Sequence, residues 1–206
     1  FFYYCQELLV KYKHSQSIGM ISGNNFYTQN PKNDHSYGYS IHGGIWGWAT
    51  WSSVWSDCIS QADILSEKNV EKLRIVLKNN EQFKILLKQV REINANELDS
   101  WAIQFAYTRY INNLLCIRPA VTLVSNIGLG HDEAVNTKGD SGYYSSFYKT
   151  NDLKIPLLNP PKIVVDIKAD NHLQKMQYEV SFIYRFIRIL GRIKPFINKI
   201  FLNVKC

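Results

Sequence analysis

The stretch Phe1-Phe2-Tyr3-Tyr4-Cys5-Gln6-Glu7-Leu8-Leu9-Val10-Lys11-Tyr12-Lys13, followed after His14-Ser15-Gln16-Ser17 by Ile18-Gly19-Met20-Ile21-Ser22-Gly23, decides the fold class. Phe2, Cys5, Leu8, Leu9 and Tyr12 recur at helical spacing, so Phe1 to Lys13 reads as an amphipathic helix. Ile18 to Gly23 is a short apolar run closed by glycine, the pattern of a buried strand. A helix leading into such a strand is half of a βαβ unit, and it predicts an α/β fold with helices on a small mixed sheet.

Working outward, Asn24 to Tyr39 is rich in Asn, Tyr and His and reads as a loop, with His14 and His35 as solvated loop residues. Next comes Gly43-Gly44-Ile45-Trp46-Gly47-Trp48-Ala49-Thr50-Trp51, with three of the five Trp residues of the chain. Glycines let the backbone take positive φ or approach a ligand closely. Indoles offer flat rigid surfaces with one N–H donor each. Two readings stay open: the wall of a sugar-binding cleft, or a glycine-broken turn before a helix whose indoles are core. Thr50 is placed to cap a helix from Trp51 to about Ser60.

Lys68 to Arg91 carries helical periodicity in two pieces around Asn79-Asn80, and its charged residues read as a solvated face. Asn94 to Ser100 is a polar turn, with Glu97 and Asp99 ahead of a helix that bears Trp101, Phe105, Thr108 and Ile111. A carboxylate there caps a helix, and it can also serve as a general base. Asn112-Asn113 ends that helix. Leu114 to Ile117 and Val121 to Val124 are short strand-like runs, and Ser125 to Asp132 is a glycine-containing loop. Polar sequence runs on to Asn151, Ile155 to Pro161 is proline-punctuated, and Ile163 to Ile167 reads as an edge strand. Asp170 is placed to cap a C-terminal helix. The expected division is a domain over residues 1–150 and a linker with a basic helical tail over 151–206.

The chain has 206 residues, 46% hydrophobic and 20% charged, with net charge +7. That composition is globular. From Gln174 to Cys206 seven Lys and Arg residues face Glu179 alone, so +6 of the charge lies in the tail. A general nucleic-acid patch is therefore not the first reading. Val180, Ile183, Phe186, Ile187 and Leu190 beside Arg185, Arg188 and Arg192 suit a helix on an anionic membrane surface, or one packed on a protein. Cys5, Cys58, Cys116 and Cys206 have no zinc-ligand spacing and fit reduced thiols in the cytosol. No apolar run reaches the roughly 18–20 residues of a spanning helix, and no signal peptide is visible. The start without Met, inside an amphipathic pattern, suggests a fragment.

Taken together, the motifs resemble the C-terminal half of a bacterial GT-A-type, family-2-like glycosyltransferase, a nucleotide-diphospho-sugar transferase. The resemblance rests on Phe1-Phe2, Cys5, Glu7-Leu8-Leu9, Tyr12 and Ile18 to Phe26, then Trp46 to Trp51 with Val54-Trp55. It continues in Asp99-Ser100-Trp101 and in Pro119, Val121, Leu123 to Gly130 and Asp132, so it covers residues 1–137. It implies transfer of a sugar from a nucleotide-diphosphate donor to a glycan or lipid-linked acceptor. Asp99 would be the general base. Gly43, Gly44, Trp46, Gly47, Trp48, Glu97 and Trp101 would bind substrate, with Trp46 and Trp48 facing the sugar and Trp51 and Trp55 in the core.

Ser125, Asn126, Gly128, Gly130 and His131 would close over the donor diphosphate. A divalent metal, Mn2+ or Mg2+, is implied, with its main acidic ligands upstream of Phe1 and none assigned in this chain. The implied location is cytoplasmic, peripheral on the inner membrane face through residues 171–206. Where the family shows Thr-His-Thr, this chain has Val135-Asn136-Thr137, so a histidine that often helps hold the metal–diphosphate is replaced by Asn136. The competing reading is a non-catalytic carbohydrate-binding or structural domain that uses the Trp46–Trp51 surface.

Overall fold

A computed structural model describes residues 1–25, 35–59, 64–128 and 149–174. Residues Phe1–Asp170 form one compact unit, and a second begins at Asn171. The first holds α1 (Phe2–Lys11), β1 (Ile18–Ser22), β2 (Tyr37–Ser40), β3 (Trp48–Ala49), α2 (Ser52–Ile59), α3 (Glu67–Val76), α4 (Asn80–Asn94), α5 (Trp101–Ile111) and β4 (Leu115–Pro119). A sixth helix begins at residue 167. The mixed α/β class read from the sequence is present.

The sheet has the order β2-β4-β1-β3. β1 and β4 are parallel, while β3 pairs antiparallel with β1 and β2 antiparallel with β4. All five residues of β1 are buried, as its unbroken apolar run requires of a central strand. The pleat sends alternate side chains to opposite faces. Ile21 and Ile117, with Tyr37 and Tyr39, pack against Tyr4, Leu8 and Tyr12 of the α1 segment. Met20 and Cys116 face the other way, onto Phe105 of α5 and Cys58 of α2. Outside α5, α3 and α4 contribute Leu73, Phe83, Leu86 and Val90 to a helical core with Tyr107 and Ile111. The sheet is thus covered on both faces, and α5 is a buried layer between the sheet and the α3–α4 pair.

Local chemistry sets the breaks. The Asn79 side chain accepts from the N–H groups of Glu81 and Gln82, so the break at Asn79-Asn80 is the N-cap of α4. Asn96 (φ 59) and Asn113 (φ 53) take the left-handed conformation after α4 and α5, which Asn tolerates better than most residues.

Several sequence expectations are corrected. Asn24 to Tyr39 is not all loop, because its last residues enter β2. The alternation Tyr37-Gly38-Tyr39-Ser40 puts both rings inward. The Tyr12 hydroxyl lies 2.8 Å from that of Tyr37 and 2.6 Å from that of Tyr39. Tyr37 also donates to Asn159 Oδ1 at 2.8 Å. Thr50 does not cap α2; its hydroxyl donates to the Gly19 carbonyl at 2.7 Å, and the helix starts at Ser52.

Asp99 does not cap α5 either, since the N-cap position is Ser100, whose side chain makes no cap bond. Val121 to Val124 forms no strand. The edge strand expected over Ile163 to Ile167 shrinks to one bridge, Val165 to Tyr39. Asp166 accepts from the Ala169 N–H and caps the sixth helix. Asp170, expected in that role, instead accepts from the Ser40 hydroxyl and, at 2.9 Å, from the Ile41 N–H. The compact unit also runs past residue 150: Leu157 is in its core, and Leu158 and Ser36 exchange hydrogen bonds. The basic tail over residues 175–206 lies outside the described residues. Among those described, no helix is long and apolar enough to cross a membrane.

Candidate functional site

The three motif segments meet at one edge of the sheet. β3 brings Trp48 opposite Ser22, the last residue of β1. The next residue of that strand's chain, Gly23, donates its N–H to the Gly47 carbonyl at 2.6 Å, and its own carbonyl accepts from the Leu123 N–H at 2.9 Å. Gly23 therefore ties the Trp segment to the chain entering the Ser125 loop. Asn24 adds a bond from its side-chain amide to the Val124 carbonyl at 3.2 Å. α5 runs back toward the start of β4, so its N-terminus, with Asp99 and Trp101, lies at the carboxyl ends of the parallel strands. Ligand sites of open α/β sheets form at that edge.

The side chains confirm the junction. Trp48 stacks on Trp101, centroids 5.2 Å apart and planes 21° apart. Its ring also lies 5.1 Å from Phe105 and 5.8 Å from Trp55. Trp48 and Trp55 are both half-buried members of this one cluster, rather than one facing outward and the other lying in the core. Trp101 is its wet member, 46% exposed. Trp51 is turned toward α1, its indole N–H donating to the Leu9 carbonyl at 3.0 Å. Trp46 is half-buried, while Glu97 and Asp99 are exposed on the turn before α5.

The glycines have a more local purpose than ligand approach. Gly47 has φ +62, and a Cβ there would come 2.5 Å from Val124 Cγ2. A Cβ on Gly43 would fall 2.5 Å from Met20 Sδ and 3.1 Å from Arg109 Nη2. Both positions are glycine because the chain packs closely on itself. Gly44 offers its carbonyl to the Ser22 hydroxyl at 2.9 Å. In the Ser125 loop, Asn126 Oδ1 accepts from the Gly128 N–H at 3.0 Å and forms a tight turn. Gly130 and His131, with Asp132 and Val135-Asn136-Thr137, lie outside the described residues.

Sequence reasoning missed a buried polar group behind Gly43. Arg109 is 2% exposed; its Nη1 donates to the Leu114 carbonyl at 3.1 Å, and its Nε has no partner. His42 Nδ1 lies 3.1 Å from the Tyr110 hydroxyl. Burial, with Arg109 and Arg118 nearby, lowers the His42 pKa to about 4, so the ring is neutral. Burial raises the pKa of Asp170. The sequence signal was Arg109 itself, the one charged residue on α5. Buried Cys5 and Cys116 have thiol pKa values pushed up to about 11, which makes them unreactive.

An open cleft of about 520 Å³ lies at the other edge of the sheet, lined by Ser15, Gln16, Ile18, Val54, Asp57, Asn112 and Leu114. None of the predicted site residues lines it. The aromatic cluster is instead a surface shelf, and it is the stronger candidate because two separate motifs build it. Among the described residues no three His, Cys, Asp or Glu side chains could together hold a metal ion. The resemblance puts the main metal ligands upstream of Phe1, and no chemical step is derived through a metal. In comparisons with protein-family models, curated proteins and solved structures, none matches the chain.

Proposed function

We propose that the shelf built from Trp48, Trp101 and the turn bearing Asp99 is the acceptor side of a glycosyl-transfer site. The observation that carries this reading is the stacking of Trp48 on Trp101. It joins two motifs some fifty residues apart, and those are the motifs that the glycosyltransferase resemblance needs in one place. The half-exposed face of Trp101 suits the apolar face of a sugar ring, and Asp99 stands two residues away on the same turn.

In this mechanism the acceptor hydroxyl loses its proton to the Asp99 carboxylate as its oxygen attacks the anomeric carbon. The bond from that carbon to the donor diphosphate breaks, and the diphosphate leaves with the electron pair. A positioned base of this kind contributes on the order of 10²–10⁴ in rate. The Ser125 loop, tied to Gly47 through Gly23, would border the donor on this reading.

The test is release of nucleoside diphosphate by the complete gene product from a panel of nucleotide sugars, with and without glycan acceptors. Acceptor-stimulated release from at least one donor is expected. Oligosaccharide binding with no turnover of any donor would favour a non-catalytic carbohydrate-binding domain on the same shelf.

A further inference from the structure

Residues 154–168 carry aliphatic side chains that the fold does not use. Ile155, Leu158, Ile163, Val164 and Ile167 are exposed, Val164 to 66% and Ile167 to 67%. Their backbone is nonetheless fixed. Leu158 both donates to and accepts from Ser36, Leu157 is in the core, and Asp166 donates its N–H to the Tyr39 carbonyl at 3.1 Å. Ser36, just before β2, and Tyr39 within it are three residues apart, roughly 10 Å. The segment is thus held beside β2 at Leu158 and Asp166, and its five exposed aliphatic side chains fall between Ile155 and Ile167. Exposed apolar surface concentrated in this way marks an interaction site.

Lys154, Lys162 and Lys168 are interleaved with these side chains, and all three are exposed. The acids of the segment do little to neutralise them. Asp170 is buried against Ser40 and Ile41. Asp166 is engaged by Arg118 at 3.8 Å and by the Ala169 N–H. Asp152 is the remaining one, and it is exposed. We propose that this patch docks on an anionic lipid bilayer, with the aliphatic side chains in the headgroup–acyl boundary and the lysine ammoniums at the phosphates. Lysine stems can lie along apolar surface while their charges stay at the polar level, and aliphatic burial combined with lysine attraction is how interfacial segments bind. A second copy of the chain is a poorer occupant, because a two-fold contact would set these lysines against their own copies. The patch is separate from the basic tail, and the proposal does not depend on glycosyl transfer.

The experiment measures partition of the full chain onto phosphatidylcholine vesicles with and without phosphatidylserine. Variants are Lys154→Gln/Lys162→Gln/Lys168→Gln and Ile163→Ser/Val164→Ser/Ile167→Ser, with circular dichroism to verify folding. All retain the tail, so its contribution is common to them. Wild type is expected to prefer phosphatidylserine vesicles, the lysine variant to bind on the order of a hundredfold more weakly, and the serine variant to lose most of its binding. Unchanged partition in both variants overturns the proposal. So does an apolar-dependent self-association that the serine variant abolishes and vesicles do not affect, which would make the patch a protein contact.

Discussion

Gly47→Ala tests the junction on which the candidate site depends. Gly47 combines φ +62 with a 2.5 Å approach of its Cβ position to Val124 Cγ2. The left-handed backbone costs an L residue roughly 1–2 kcal/mol. Forcing a methyl into the packed contact adds about 1–3 kcal/mol. The single variant should therefore lose about 2–5 kcal/mol, a large share of the 5–15 kcal/mol typical of a domain. Val124→Ala removes Cγ2 and leaves Cβ, 3.1 Å from the new methyl. The double variant should recover the steric part but not the backbone part, so the coupling energy should be about 1–3 kcal/mol. Urea unfolding followed by circular dichroism measures all four proteins of the cycle. A Gly47→Ala cost below about 1 kcal/mol, or no coupling to Val124, would refute the claim that the Trp segment and the Ser125 loop are clamped together.

Other consequences follow from the same contacts. Trp101→Ala should cost little stability, because the ring is half-exposed, yet weaken oligosaccharide binding about tenfold; intrinsic fluorescence titration reads both. Tyr12→Phe removes the hydroxyl shared by Tyr37 and Tyr39 and should cost about 1–3 kcal/mol in urea unfolding. His42 has a folded pKa lowered to about 4 from 6.5. Its contribution is complete above pH 6.5 and lost as pH falls toward 4, because the unfolded chain takes up the proton first. The loss is up to about 3 kcal/mol, and His42→Gln should flatten this part of the stability profile. Asp170, with its raised pKa, acts in the opposite sense, its contribution falling as pH rises above 3.8.

The helices were legible wherever one face repeats at 3.6 residues, as in α1, α4 and α5, and Asn79 marked its break through a capping side chain. β1 was legible as an unbroken apolar run. β2 was not, because its inward residues are tyrosines, which read as polar until their hydroxyls are seen to satisfy one another. The linker read at the start of residues 151–206 rested on its prolines, while Leu157 and the backbone of Leu158 anchor that stretch to the core. The motif segments were visible singly. Their meeting was not, since the stacking of Trp48 on Trp101 depends on β3 pairing with the end of β1. The need for glycine at 43 and 47 was visible, but its cause, Met20 and Val124, is a tertiary contact.

Turnover of Asp99→Asn tests the proposed chemistry most directly. The side chain is exposed and makes no cap bond, so the variant should fold with wild-type stability. In the complete gene product, acceptor-dependent release of nucleoside diphosphate should fall by roughly 10²–10⁴ with acceptor binding retained. Turnover near that of wild type would contradict the account.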